Sequence, residues 1–168
     1  MKNLILMCYM CLFLIGCHAN NPAPELSNNG ETITVDNTKN PKKIVHIDFG
    51  DNIVLSWNSV ADNFIIDQYH KDLKNDKKKI KILLDSITNN QLLNVATKLK
   101  STELKKGDIA FLYLIKLDNI YYSKCLKIQF DVISENSSYP DTLLDYLENN
   151  RHQTQKKMHL CLHKKGYI

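Results

Sequence analysis

The stretch "KKKIKILLDSI", residues 77–87, carries the clearest helical pattern in the chain. Four of its apolar residues recur at i, i+3, i+4 and i+7, a spacing that places them on one face of a helix. They are Ile80, Leu83, Leu84 and Ile87. Asp76 stands just before the stretch, where its carboxylate can accept hydrogen bonds from the first turn. The stretch therefore predicts an amphipathic helix whose apolar face lies on a protein core.

Similar patterns on both sides predict consecutive helices with short connections. Asp62 stands at the capping-box distance from Ser59, which predicts a helix over residues 59–73. A second apolar stripe predicts a helix over residues 91–100, and its members are Leu92, Val95, Ala96 and Leu99. Pro140 fits the first turn of a final helix. The apolar residues of that helix are Leu143, Leu144, Leu147, Met158, Cys161 and Leu162.

Three further segments introduce a β component. The β-prone runs at residues 43–49 and 52–57 predict either a hairpin or an irregular cap on the domain. Strict alternation of apolar residues predicts a strand over residues 125–133. Residues 109–117 fit a buried helix or a strand, and a helix is favoured because Asp108 can cap it. Together the patterns predict a single small, helix-rich α+β domain.

The first residues have the layout of an export signal. Lys2 precedes an apolar run of about a dozen residues, which is too short to span a bilayer comfortably. The run ends in "LIGC", residues 14–17, which resembles the lipobox of bacterial lipoproteins. The resemblance implies that residues 1–16 are a signal peptide, cleaved before Cys17. It also implies that the Cys17 thiol carries a diacylglycerol.

A lipid at Cys17 would place the protein in the cell envelope. Similarity to sorted lipoproteins favours the outer membrane, facing the periplasm, if the cell is Gram-negative, because residue 18 is His and not Asp. Residues 17–42 are rich in Asn, also hold Pro, Thr, Ser and Gly, and contain few large apolar groups. Such a composition predicts a flexible tether after the lipid. Residues 43–168 then form the globular domain.

Charge and cysteine content limit the partners. Loss of residues 1–16 removes one lysine, which leaves 21 basic and 18 acidic residues and a net charge of +3. This weak charge does not indicate a nucleic-acid binder. Cys125 and Cys161 remain in the mature domain, and in an oxidising envelope they either form a disulfide or stay as two buried thiols. The predicted partners are the membrane, through the lipid, and another protein.

No pattern in the sequence indicates catalysis. The string "HIDFGDN", residues 46–52, is similar to the Asp-Phe-Gly region of lipid kinases, but no catalytic loop, glycine loop or strand lysine precedes it. The chain is therefore predicted not to be an enzyme, and no cofactor is predicted. His159 and His163, in "HLCLH", are spaced i, i+4 and form the first candidate pair for a metal ion if one is bound. Exposed histidines without a metal are the simpler interpretation.

A second resemblance covers residues 92–151, through the runs "LLNVATKLKSTELKKGDIAFLYLIKL" and "YPDTLLDYLENNR". These runs resemble small uncharacterised bacterial proteins, some of them exported and some of them candidate immunity partners of antibacterial toxins. The resemblance implies a non-enzymatic protein-binding function, such as neutralising a toxin that acts in the periplasm. The alternatives are a lipoprotein that binds a metal or small ligand, and a structural lipoprotein of an envelope assembly.

Overall fold

A β-hairpin is the first element in the described part of the chain. The computed structural model describes residues 44–130 and 137–168. Strand β1 (Ile44–Asp48) pairs antiparallel with β2 (Val54–Asn58), which pairs in turn with the short β3 (Asn63–Phe64). Gly50, at φ 80°, begins the tight connection between β1 and β2, and its N–H donates to Asp48. Of the two predicted alternatives, the hairpin is therefore the observed one, and its buried face carries Ile47, Leu55 and Trp57.

Helices make up most of the rest of the described chain. They are α1 (Gln68–Leu73), α2 (Lys77–Asp85), α3 (Lys106–Leu114), α4 (Tyr122–Leu126) and α5 (Leu143–Lys164). A 3₁₀ turn, Ser86–Thr88, extends α2. Asp76 caps α2 as predicted, since its side chain accepts from the N–H of Lys79 at 3.1 Å. The architecture is a small, helix-rich α+β domain, which confirms the predicted fold class.

Helix α3 lies at the centre of the core. Every residue from Gly107 to Leu114 is buried, and the helix packs against α2 and the 3₁₀ turn. Tyr113 connects α3 to β3 through the ring of Phe64 and to α1 through the ring of His70, with centroids 5.8 Å and 4.7 Å away. The helical alternative for residues 109–117 is thus the observed one as far as Leu114.

The close approach at the start of α3 requires a glycine. A Cβ on Gly107 would meet the carbonyl oxygen of Ile87 inside contact distance and lie 2.8 Å from the carbonyl oxygen of Asn89. Both neighbours are backbone atoms and cannot rotate away. Gly107 therefore lets the first turn of α3 sit directly on the end of the 3₁₀ turn.

The predicted helix over residues 59–73 is wrong in its first half. Asp62 takes a left-handed conformation at φ 45°, and Phe64 pairs with Trp57 in the sheet. The helix begins only at Gln68, where the side chain of Asp67 accepts from the N–H of His70 at 2.7 Å. Sheet pairing and a buried aromatic contact at Phe64 override the apolar spacing that suggested a longer helix.

The predicted helix over residues 91–100 is also wrong. Leu92 bridges Lys105, and the N–H groups of Leu93 and Leu104 donate to the carbonyls of Leu104 and Val95. The backbone hydrogen bonds therefore run between two antiparallel segments and not along a helix. The apolar residues of the stripe still face inward, because Val95 and Leu99 are buried.

The strand predicted over residues 125–133 is contradicted where the structure describes it. Cys125 and Leu126 end helix α4, and Lys127 follows in the left-handed conformation at φ 55°. Residues 127–130 form no strand, while 131–133 lie outside the described residues. The alternating apolar residues reach the core from a turn, since Ile128 and Phe130 pack against it.

The final helix agrees with its prediction except at its start, since it begins at Leu143 and Pro140 lies before its first turn. Residues Leu143, Leu144, Leu147, Met158 and Leu162 of α5 are buried. A kink at Asn150 interrupts the helix, and the side-chain amide of Asn150 donates to the carbonyl of Tyr146 at 2.9 Å. The kink stands directly before Arg151, whose position matters for the candidate site.

The predictions about the N-terminus lie outside the described residues. These are the signal peptide at residues 1–16, the lipid on Cys17 and the tether over residues 17–42. Within residues 44–130 and 137–168, no helix is both long enough and apolar enough to cross a membrane.

Candidate functional site

The seam, as we call the contact between α2 and α5, is stabilised by side chains of α5 that donate hydrogen bonds to carbonyl groups at the end of α2 and of the 3₁₀ turn. Arg151 donates through Nη1 to the carbonyl of Ile87 at 3.0 Å. Gln155 donates to the carbonyls of Leu84 and Asp85, at 3.2 Å and 3.1 Å. Carbonyls at a helix end lack some of their helical partners, so these bonds add donors from α5 to acceptors at the end of α2 and of the 3₁₀ turn. They also fix the position of α5 against α2.

A network of five charged residues lies at one end of this seam. Asp108, fully buried, accepts from the N–H of Lys105 at 2.9 Å and from Nη2 of Arg151 at 2.6 Å. Lys100 is also buried, and its ammonium nitrogen lies 2.6 Å from Oδ2 of Asp108. Glu148 joins the network through ion pairs with Arg151 and Lys105. Each buried charge thus has an opposite charge beside it, as burial requires.

Glu148 remains ionised because of its two cationic neighbours. Burial opposes its ionisation, but hydrogen bonds from Lys105 and Arg151 outweigh that effect and lower the pKa from 4.5 to about 2. A carboxylate whose pKa is lower in the folded than in the unfolded state stabilises the fold above the unfolded value. That contribution disappears as the pH falls from about 4.5 towards 2.

The variant Glu148→Gln tests this linkage. Because Glu148 is partly exposed, we expect the variant to lose only about 1 kcal/mol of unfolding free energy at pH 7. The deficit relative to the wild type should shrink between pH 4.5 and pH 2, as measured by urea denaturation at a series of pH values. Glu103→Gln, a change at an exposed glutamate, is the control and should follow the wild-type profile. A deficit of Glu148→Gln that is the same at pH 7 and pH 2.5 would contradict the assignment.

An open groove lies further along the seam, towards the C-terminus of α5. We call it the α2–α5 groove; its volume is about 430 Å³ and its lining residues are Leu84, Asp85, Gln155, Lys156, His159 and Leu160. Leu160 exposes 70% of its surface, the largest value among the exposed large apolar residues of the described chain. Lys156 and His159 beside it are exposed, whereas the charge of Asp85 is already paired with Lys81 at 2.8 Å. The groove thus combines an exposed apolar side chain with the exposed cation of Lys156.

A second depression adjoins the charged network. It has a volume of about 390 Å³ and is lined by Thr88, Asn90, Lys105 and residues 148–153. Its cations, Lys105 and Arg151, are already paired with Glu148. Any ligand anion would have to displace that carboxylate, so the depression favours a structural role for the network.

The structure places the remaining predicted site residues on α4 and α5. Cys125 and Cys161 form a disulfide that joins α4 to α5, with Cα atoms 5.5 Å apart. The rings of His159 and His163 lie next to one another on the exposed side of α5, with centroids 6.5 Å apart and planes at 12°. No group of three metal-binding side chains occurs in residues 44–130 and 137–168. The pair therefore offers at most two ligands from the described part of this chain.

The charged network and Leu160 were not identified from the sequence. Asp108 was assigned only a capping role, and nothing in the sequence brings Lys100 or Arg151 to it across 8 and 43 positions. The position of Leu160 carried a weak signal, since it falls outside the apolar stripe formed by Met158, Cys161 and Leu162. Single exposed apolar residues are common on protein surfaces, so Leu160 becomes informative only because a groove lies beside it.

Comparison of this chain with protein-family models, with curated proteins and with solved structures finds no match. The class defined by the fold is a small α+β domain, and the function is inferred from the surface of α5.

Proposed function

We propose that this chain is a lipid-anchored protein of the cell envelope whose domain binds another protein at the α2–α5 groove. The observation that carries the proposal is Leu160, an apolar side chain that is 70% exposed at the edge of a groove of about 430 Å³. A few residues that become desolvated in well-packed pockets supply most of the binding energy at protein interfaces, and we assign Leu160 such a position. The "LIGC" sequence at residues 14–17 supports the anchor.

The charges around the groove favour an acidic partner. Lys156 lines the groove and is exposed, and Lys164, which does not line it, is exposed four residues beyond Leu160 on α5; neither has an ion pair within the described part of the chain. Asp85, the acidic group in the lining, is paired with Lys81. A partner that presents carboxylates around an apolar side chain would therefore meet complementary charge, which raises the association rate and fixes orientation.

The framework behind the groove is suited to recognition without rearrangement. Arg151 and Gln155 hydrogen-bond α5 to the end of α2, and the Cys125–Cys161 disulfide joins α5 to α4. A surface that is already in its binding conformation loses less entropy on association. Such a surface supports the function implied by the resemblance of residues 92–151, that of an immunity protein that covers the site of a toxin in the periplasm.

Substitution of Leu160 tests the proposal. The full chain is crosslinked to its neighbours in envelopes of its host, and the complexes are solubilised in detergent. The captured protein is then purified, and its affinity is measured for the wild-type chain and for the variant. We expect Leu160→Glu to weaken binding by about 2 kcal/mol or more, roughly thirtyfold, because it removes the anchor and adds a charge that repels carboxylates. Val60→Glu is the matched control, since Val60 is 59% exposed but does not line the groove.

The outcomes separate the proposal from its alternatives. A captured protein that is toxic when expressed alone, and harmless when co-expressed with this chain, supports the immunity function. Equal binding of Leu160→Glu and the wild type places the interface elsewhere. Capture only of envelope-assembly components supports a structural lipoprotein, and the absence of any saturable partner overturns the protein-binding function.

A further inference from the structure

The two histidines of "HLCLH" lie on the part of α5 that is open to solvent. His159 and His163 are both exposed and belong to successive turns of the helix. Their rings are nearly parallel, with centroids 6.5 Å apart. Cys161, between them in sequence, is bonded to Cys125 and cannot act as a third ligand.

The spacing of the rings allows one metal ion to bind both. Imidazole nitrogens bind zinc at about 2.0–2.1 Å, so two rings on one ion have centroids roughly 5–6 Å apart. The rings would have to approach each other by about 1 Å, which exposed side chains can do by rotating about χ1 and χ2. Residues four apart on a helix face the same side, so the backbone already supplies the correct direction.

We propose that His159 and His163 form an open, two-histidine site for a divalent late transition-metal ion, with Cu²⁺ bound more tightly than Zn²⁺. Imidazole is a suitable ligand for both ions. The affinity of a nitrogen site for divalent first-row metal ions is generally highest for Cu²⁺ and lower for Zn²⁺. Two protein ligands leave the remaining coordination positions to water or to a residue of a bound partner. Since His159 also lines the α2–α5 groove, the ion would lie at the groove's rim.

This inference does not depend on the proposed function, because the metal is measured with no partner present. The full chain in detergent is titrated calorimetrically with CuCl₂ and, separately, with ZnCl₂. Wild type is compared with His159→Ala, His163→Ala and the control His152→Ala. His152 is exposed on the same helix but roughly 10 Å from His159 along the axis, too far to share an ion with it.

We expect His159→Ala and His163→Ala each to weaken the tightest Cu²⁺ site at least tenfold, because the second imidazole then no longer acts at high effective concentration. His152→Ala should keep the wild-type affinity, and circular dichroism should show the same helix content in all four proteins. Wild-type affinity in either His159→Ala or His163→Ala would overturn the inference, as would Zn²⁺ binding more tightly than Cu²⁺. Failure of the metal site would leave the Leu160 test of protein binding unaffected.

Discussion

Asp108→Asn is expected to lower the free energy of unfolding by roughly 3–5 kcal/mol, the cost of removing one member of a buried ion pair. Asp108 is fully buried and receives the charges of Lys100 and Arg151, each 2.6 Å away. The amide of asparagine has no charge to offset either cation. Its N–H groups would also face a neighbouring donor, such as Arg151 or Lys100, in place of an acceptor. Because domains of this size are stable by only about 5–15 kcal/mol, the loss is a large part of the total.

Urea denaturation under non-reducing conditions measures this loss. Asp145→Asn is the matched control, since Asp145 is an exposed carboxylate in the first turn of α5. It should cost no more than about 1 kcal/mol, the value of a favourable helix-dipole contact. If the two variants are equally stable, Asp108 is not the centre of the charged network.

A double variant identifies the cause of the loss. Lys100→Met combined with Asp108→Asn removes one of the two buried cations that the single variant leaves without a full counter-charge. We expect the double variant to be less destabilised than the sum of the two single variants, because residues in one ion network couple strongly. Additive losses would show that packing, and not charge, determines the cost.

Cys17→Ser is expected to abolish lipid attachment, which is the second large effect. A serine hydroxyl is a far weaker nucleophile than a thiolate at neutral pH and cannot form the thioether. In host cells fed an alkyne-labelled fatty acid, incorporation into the variant should fall to background. Since each buried CH₂ of an acyl chain contributes about 0.8 kcal/mol, the loss of two or three chains removes the anchor altogether.

The cysteines of the apolar run supply the control for this experiment. Cys8→Ser and Cys11→Ser should keep the label, because the lipobox resemblance assigns the lipid to residue 17 alone. Mass spectrometry of the mature protein should find an acylated Cys17 as the first residue. A wild-type protein that begins at Met1, or that has an unmodified thiol at residue 17, would contradict the anchor and with it the envelope location.

The elements that the sequence predicted correctly are those with a strong local signal. The stripe of α2 comes with its own cap at Asp76, and Gly50 permits the turn of the hairpin at φ 80°. The two predicted helices that failed lie at residues 59–67 and 91–100, where apolar residues at helical spacing pair with neighbouring extended segments. In both cases an Asn or Asp in the left-handed conformation, Asp62 or Asn94, breaks the helical path.

The candidate site was predictable only in part. The His159 and His163 pair follows from i, i+4 spacing on one helix, which is local information. The α2–α5 groove requires α2 and α5 to lie side by side, although Asp85 and Lys156 are 71 positions apart. The spacing of apolar residues within α2 or α5 does not specify that these two helices contact one another.

The sequence by itself determined the class of fold, the amphipathic α2 and the histidine pair, because each depends on residues within a few positions of one another. It also supplied the lipobox resemblance at residues 14–17, which the described part of the structure does not reach. Tertiary structure alone decided that Asp108 pairs with Lys100 and Arg151, and that Leu160 is left uncovered beside a groove. The physical reason is that burial and charge pairing depend on which distant segments meet, and that is set by packing of the whole core.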